Sequence, residues 1–145
     1  MKKHLILLLT LMLLTGCSTP KDTLSINGMY IGKKAPADRD HLVMDASFTY
    51  MDKEVGYDVD SENRIDYMEF YTSTMADDEI GLDDINLYYH GEHLDTTEKV
   101  IATLGKNYTP ADDEEYESFE FEDDKLCVEV TLRNGEFTNI KVSPK

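Results

Sequence analysis

Apolar and polar residues alternate along two stretches of the chain, one in each half. Alternation with a period of two gives a strand one apolar and one polar face, so both stretches predict antiparallel strands with one buried side. In the second stretch, Arg133-Asn134-Gly135 predicts a hairpin turn, because Asn-Gly tolerates the positive φ that such turns require. The positions expected to be buried are Phe48, Tyr50, Val59, Phe119, Phe121, Val128, Val130 and Ile140.

The last strand of each stretch changes phase. Ile65 and Met68 are three residues apart in the first half, as are Phe137 and Ile140 in the second. Residues on one face of a strand are separated by even numbers, so an odd spacing moves side chains to the other face. One extra residue, a β-bulge, restores the phase. We therefore expect a bulge in the third strand of both halves.

A helical period is clearest before the second stretch. Asp95 or Thr96 is a suitable N-cap, and Gly105 follows the last turn, as is typical of a helix C-terminus. The apolar side of this helix consists of Val100, Ile101 and Leu104. A weaker helical pattern lies around residues 37–45. The sequence therefore predicts one helix before each set of strands.

The two halves repeat the same order of elements. Residues 26–32 (INGMYIG) match 85–91 (INLYYHG), and 47–52 (SFTYMD) match 118–123 (SFEFED). Several matches in one order indicate a duplication. We therefore predict an α+β fold of two tandem helix-plus-antiparallel-meander units that share a β-rich core. The expected boundaries are 25–74 for the first unit, 75–83 for an acidic linker and 84–145 for the second unit.

The first residues of the chain are typical of an export signal. Two lysines precede a short apolar run that ends in LTGC at 14–17. The run is shorter than the roughly 20 residues that a membrane-spanning helix needs. LTGC resembles the lipobox of bacterial lipoproteins, in which the cysteine is diacylated and the chain is cut before it. The resemblance implies a signal peptide at 1–16, a lipid on Cys17, a tether at 17–24 and a place on the extracytoplasmic side of the cell membrane. The alternative is an ordinary secretory signal that ends in a chance cysteine.

The chain is strongly acidic, with 14 Lys and Arg against 30 Asp and Glu and a formal net charge of −16. A nucleic-acid-binding protein needs a basic face to neutralise phosphates, so the charge excludes that class. An anionic membrane surface repels such a domain, and the lipid must supply the attachment. Hydrophobic residues make up 41% of the chain, enough for a packed core. With Cys17 lipidated, Cys127 is left without a partner for a disulfide.

The helix that ends at Leu104-Gly105, followed by antiparallel strands over 118–142, resembles two groups of exported proteins. One group is the small outer-membrane-assembly lipoproteins of the SmpA/OmlA type. The other is the beta-lactamase inhibitor protein family, which repeats a helix-plus-sheet unit in tandem. The resemblance implies a sheet that binds another protein without catalysis. The matching residues before the strands are Gly91, Thr97, Val100, Leu104 and Gly105.

The acidic segment 58–69 resembles an EF-hand calcium loop. Calcium takes six to eight oxygen ligands, and the loop spacing wraps carboxylates around one ion. The carboxylates at matching positions are Asp58, Asp60, Glu62, Asp66 and Glu69. However, the alternation of Val55, Tyr57 and Val59 runs into the loop, which favours a β-hairpin over an entering helix. Both an acidic hairpin and a calcium site remain open here.

Four tyrosines are candidate contacts with another protein, because Tyr is enriched at interface hot spots. They are Tyr67, Tyr71, Tyr88 and Tyr89. Tyr88 and Tyr89 are adjacent, so one of the two should point outward from an extended segment. His90 and His93 have the spacing of two metal ligands, but the sequence positions no third ligand beside them.

No catalytic motif is found in the sequence, neither a phosphate-binding glycine loop nor a nucleophile elbow nor a paired-histidine zinc motif. We therefore expect no enzyme and no cofactor other than calcium. The leading hypothesis is a lipid-anchored envelope lipoprotein that binds a protein partner, as an inhibitor or accessory domain. The alternative is a surface lipoprotein that binds calcium or a small ligand through 58–69.

Overall fold

Ten strands and one short helix make up the regular structure of the described residues. The computed structural model describes residues 22–38, 40–41, 48–52, 54–72, 80–111 and 114–145. The strands are β1 (Ser25–Ile26), β2 (Asp40–His41), β3 (Tyr50–Asp52), β4 (Val55–Val59), β5 (Ile65–Tyr71), β6 (Leu87–Tyr89), β7 (Glu92–His93), β8 (Tyr116–Glu122), β9 (Leu126–Arg133) and β10 (Glu136–Pro144). Helix α1 covers Thr97–Leu104, and Leu82–Asp84 form one turn of 3-10 helix.

The strands form two antiparallel sheets. The larger has seven strands in the order β2-β3-β4-β5-β10-β9-β8, and the smaller has three in the order β1-β6-β7. The first half of the chain contributes four strands, β2 to β5, and the second half contributes three, β8 to β10. The last strands of the two halves, β5 and β10, pair with each other. The two meanders therefore form one continuous sheet.

The prediction of an α+β fold with two helix-plus-meander units is wrong, because the chain is mostly β. The second-half helix is present as α1, with the Thr96 side chain accepting a hydrogen bond from the Lys99 N–H. In the described part of the first half there is no helix, and Asp40–His41 instead pair with β3. Residues 42–47 lie outside the described residues. The pairing of 40–41 with β3 requires an extended backbone at these two residues, which a helix does not allow.

Both predicted bulges are present. In the first hairpin, Val59 pairs with Ile65 and Asp58 with Tyr67, so Asp66 is the extra residue. In the second hairpin, the pairing shifts between Phe137 and Asn139. The second hairpin turns at Asn134 and Gly135, both with positive φ, as the Asn-Gly signal predicts.

The proposed repeat fails at its first aromatic pair. The alignment predicts like environments for Phe48 and Phe119, but Phe119 is buried in the core and Phe48 lies over Gly56. A Cβ at Gly56 would lie 2.4 Å from the Phe48 ring, so the ring occupies the space of a missing side chain. The aligned residue in the second half is Cys127, which is half-buried. Phe48, expected to be buried, is half-buried as well.

The matched segments around Asn27 and Asn86 contact each other. The side-chain Oδ1 of Asn27 accepts a hydrogen bond of 2.8 Å from the Asn86 N–H. The Asn27 N–H donates to the Asn86 carbonyl at 3.0 Å. These bonds continue the β1–β6 pairing, in which Ile26 lies opposite Leu87.

The core lies between one face of the large sheet and a layer made of the small sheet and α1. Phe119, Val128, Val130 and Ile140 are buried, as predicted. Tyr50, Val59 and Phe121 are only partly buried and pack against the core. The opposing layer contributes the buried residues Ile26, Leu87, Tyr89, Leu94, Val100 and Leu104.

Candidate functional site

The large sheet has a second face, turned away from α1 and the small sheet, which we call the outer face. Side chains alternate between the two faces along each strand. In β9 every core-side residue is buried, and the residues between them are half-buried or exposed. In β8 the core-side residues are buried at Phe119 and half-buried at Glu117 and Phe121, whereas the other residues are exposed. The Phe48 ring lies over Gly56 on this face. The other outer-face residues include Met51, Asp58, Tyr67, Glu69, Tyr71, Tyr116, Ser118, Glu120, Glu122, Cys127, Glu129, Thr131, Arg133, Asn139, Lys141 and Ser143.

One row across the outer face is rich in carboxylates. Lys141 lies opposite Glu69 on one side and Glu129 on the other, and Glu129 lies opposite Glu120. The Lys141 Nζ is 3.5 Å from a carboxylate oxygen of Glu129. The ammonium of Lys141 therefore lies among three carboxylates, of which Glu120 is exposed, Glu129 is half-buried and Glu69 is buried.

A shallow depression of about 270 Å³ lies in this part of the outer face. Its walls include the Tyr67 ring, the ammonium of Lys141 and the half-buried free thiol of Cys127. The carboxylates of Glu120, Glu122 and Glu129 also line it. Such a lining suits a cationic side chain of a partner better than an anionic ligand.

Two tyrosines on the outer face are more than half exposed. Tyr71 is 52% exposed at the end of β5, and Tyr116 is 55% exposed at the start of β8. The guanidinium of Arg133 lies 5.3 Å from the centre of the Tyr116 ring and is bonded to Glu115 at 2.7 Å. These contacts hold Tyr116 in a defined orientation.

Tyr116 is not among the four tyrosines selected from the sequence as candidate contacts, although the alternation along β8 indicates its exposure. Because Phe119 is buried, the alternation along β8 places Tyr116, three residues earlier, on the opposite face. Tyr67 also reaches the outer face, half-buried, and its hydroxyl donates to the Glu69 carboxylate at 2.8 Å.

The candidates Tyr88 and Tyr89 do not belong to the outer face. Tyr88 is exposed on the small sheet, with its ring stacked on His93 at 4.7 Å. Tyr89 is buried, and its hydroxyl lies 3.0 Å from the Asp123 carboxylate. The pKa of Tyr89 is raised to about 12, mainly by burial and to a smaller extent by the hydrogen bond to Asp123. As expected for adjacent residues, one of the pair points outward.

The segment 58–69 forms a β-hairpin, as the alternation predicts. Its turn is closed by Asp60, whose Oδ1 accepts hydrogen bonds of 2.8 Å from the backbone N–H groups of Glu62 and Arg64. The bond from the Arg64 N–H is the main cause that lowers the pKa of Asp60. The Glu62 carboxylate lies 2.7 Å from the Arg64 guanidinium. The carboxylates of Asp60 and Glu62 therefore both have partners within the turn itself.

The other carboxylates of the calcium pattern have separate partners. The Asp58 Oδ1 accepts a hydrogen bond of 2.7 Å from the Thr49 N–H. Glu69 is buried and accepts from Tyr67 and from the side-chain amide of Asn139, while Asp66 stands at the bulge. Over the described residues, no group of three or more His, Cys, Asp or Glu side chains is placed to hold a metal ion.

A second, larger pocket of about 740 Å³ opens beside the start of α1. Asp83, Asp95, Glu98 and Glu136 are among its lining residues, so the positive end of the helix faces carboxylates of the chain itself. This arrangement does not favour an anionic ligand.

The predicted lipidation site, Cys17, lies outside the described residues. No helix among the residues that the structure describes is long and apolar enough to span a bilayer. Comparison of the chain with protein-family models, with curated proteins and with solved structures finds no match.

Proposed function

We propose that this chain is a lipid-anchored envelope lipoprotein that binds another protein through the outer face of its large sheet, without catalysis. The observation that carries the proposal is the unequal covering of that sheet. The small sheet and α1 cover one face, whereas the outer face leaves Tyr71 and Tyr116 more than half exposed. A broad sheet face with exposed aromatics fits a protein surface better than a small molecule.

The chemistry of the outer face supports a protein partner. Tyrosine and arginine are enriched among residues that dominate binding energy, and Tyr116 and Arg133 stand together there. Their contact, with Glu115 behind the guanidinium, reduces the side-chain ordering that binding requires. The surrounding carboxylates add selectivity and a faster association for a partner with a basic surface.

Attachment to the membrane is the second part of the proposal. The LTGC sequence at 14–17 supports acylation of Cys17, and the short polar tether up to residue 24 leads directly to β1. With a formal net charge of −16, the chain is repelled by anionic lipid headgroups, so the domain stands off the surface. The outer face is then accessible to proteins of the envelope, for which the domain acts as an inhibitor or accessory.

The proposal is tested by capture of envelope proteins on the purified full-length chain. A double variant, Tyr71→Ser with Tyr116→Ser, removes the exposed rings of the outer face. Tyr88→Ser is the matched control, because Tyr88 is also exposed but lies on the small sheet. We expect a protein that the wild type and the control retain and the double variant loses. Equal capture by all three chains would contradict the proposal.

A further inference from the structure

Strand β8 forms one edge of the large sheet. Its seven residues pair with β9 through an unbroken register from Tyr116–Arg133 to Glu122–Cys127. On its other side, no strand of the described chain pairs with it. One row of backbone hydrogen-bonding groups along β8 therefore faces outward from the sheet.

The register identifies the residues that carry these outward groups. The Asp123 N–H donates to the Leu126 carbonyl at 3.1 Å, so this pair is of the hydrogen-bonded type. In an antiparallel ladder, hydrogen-bonded and non-hydrogen-bonded pairs alternate. The backbone N–H and C=O groups of Ser118, Glu120 and Glu122 consequently point away from β9. Their side chains are exposed on the outer face.

This edge lacks most of the devices that protect edge strands. Proteins commonly protect an edge with a proline, a bulge, a lysine or a very short strand. The sequence of β8, YESFEFE, contains neither proline nor lysine, its register has no shift, and seven residues exceed the common strand length. The charged groups that β8 does carry are carboxylates, which repel other acidic chains and attract basic ones.

We infer that the β8 edge accepts an extended segment of a basic partner, which adds to the sheet as a further strand with Lys or Arg at alternate positions. This inference rests on the proposed function and names the chemistry of the partner. Main-chain bonds to Ser118, Glu120 and Glu122 supply the attachment, as in other cases of strand addition. The cationic side chains of the added strand lie on the outer face beside Glu120 and Glu122.

Charge favours this occupant over a second copy of the chain. A second copy would bring its own β8 carboxylates and a formal net charge of −16 to the same edge. Glu120 takes part in no ion pair of the described residues, and Glu122 already lies 3.0 Å from the ammonium of Lys145. The contact between Lys145 and Glu122 shows that a lysine side chain can reach the Glu122 carboxylate on the outer face.

The test uses the full-length chain in non-ionic detergent and a short fluorescent peptide in which Lys and Val alternate. Peptides with the same composition in blocks, and with Glu in place of Lys, are the peptide controls. We expect the alternating peptide to bind about tenfold or more tightly than either control, with an affinity that falls as salt is added. Hydrogen exchange should slow at the amides of Ser118, Glu120 and Glu122.

The decisive variant is Ser118→Pro. Proline at this position removes an outward N–H and keeps the β8–β9 bonds and every carboxylate. Ser118→Ala is the matched control, and circular dichroism confirms that both variants fold. We expect Ser118→Pro to weaken binding of the alternating peptide about tenfold or more and Ser118→Ala to leave it unchanged.

Three results would overturn the inference. One is equal binding of the peptide to the Ser118→Pro and Ser118→Ala variants, and another is binding without protection of the β8 amides. The third is a dimer of the free chain that Ser118→Pro dissociates, which would assign the edge to a second copy. If Ser118→Pro binds the peptide normally while the Tyr71 and Tyr116 double variant loses its captured partner, the edge inference fails and the proposed function stands. If Ser118→Pro weakens peptide binding while the double variant captures the same proteins as the wild type, contact through Tyr71 and Tyr116 is rejected and strand addition at β8 stands.

Discussion

The side chains of Glu69 and Asn139 meet on the outer face of the large sheet, where both are buried, although they are 70 residues apart in the chain. The Asn139 Nδ2 lies 3.2 Å from the Glu69 Oε1 and 3.0 Å from the Phe70 carbonyl oxygen. Both residues are almost fully buried, at 1% and 3% exposure. Because Glu69 is on β5 and Asn139 on β10, this contact lies at the junction that makes one sheet from two meanders.

Loss of this contact should destabilise the whole fold. Asn139→Ala leaves a buried carboxylate oxygen without its donor, which costs about 1–3 kcal/mol of the free energy of unfolding. Lys141→Ala is the control, because its half-exposed ion pair with Glu129 contributes little. Urea denaturation of the two variants and the wild type gives the comparison. A cost for Asn139→Ala no greater than that of the control would contradict the prediction.

Acid should weaken the contact between Tyr108 and Glu117. A hydrogen bond from the Tyr108 hydroxyl, and then one from the Ala111 N–H, lowers the pKa of Glu117 below its ordinary value of 4.5. A carboxyl with a lowered folded-state pKa stabilises the fold above the unfolded pKa and loses that contribution as the pH falls through the folded value. Tyr108→Phe should therefore lower the melting temperature most at neutral pH.

The check is a series of melting temperatures of wild type and Tyr108→Phe from pH 7 to about pH 3. The difference between the two proteins should narrow below pH 4.5, where Glu117 becomes protonated in the unfolded chain. A difference that stays constant over the whole series would show that the hydroxyl acts only through packing.

Calcium should have no specific effect through residues 58–69. The carboxylates of Asp60 and Glu62 are bound to Arg64 of their own turn, and Glu69 is buried away from them. We expect millimolar calcium to shift the melting temperature no more than millimolar magnesium does. Asp60→Asn should leave this comparison unchanged. A rise with calcium alone that Asp60→Asn removes would make calcium binding the better account of the segment.

Cys17→Ser should abolish attachment to the membrane. The lipobox resemblance predicts acylation of Cys17, and the net negative charge of the chain gives it no attraction to anionic lipids. Metabolic labelling with a radioactive fatty acid and fractionation after a high-salt wash measure the two consequences. Cys127→Ser is the control for the other cysteine. Continued retention of the Cys17→Ser chain in membranes would contradict the anchor.

The elements that the sequence predicted correctly are those encoded by local patterns. Alternation predicts the strands of both hairpins, and the odd spacing from Ile65 to Met68 predicts a bulge. The pairing of β5 with β10 is a long-range choice that no local pattern records. Within the weaker helical pattern around 37–45, the described residues 40 and 41 pair with β3, and that long-range pairing is known only from the folded sheet.

The candidate site was predicted only in part, for a similar reason. The exposure of Tyr71 and of Tyr88 agrees with their expected role as surface residues, but only the fold separates the two onto different sheets. Glu69 has the sequence signature of a solvated acidic hairpin, yet it is buried on the outer face, where Tyr67 and Asn139 donate hydrogen bonds to its carboxylate. Burial of a carboxylate depends on partners brought from elsewhere in the chain.

The proposed function requires that the outer face is in contact with another protein in the cell. Photo-cross-linking from an unnatural amino acid placed at Tyr71, Tyr116 or Tyr88 measures this contact in intact cells, without disrupting the membrane. We expect one discrete cross-linked product of the same mass from Tyr71 and Tyr116, and none from Tyr88. No product from the two outer-face positions, or the same product from Tyr88, would contradict the proposed function.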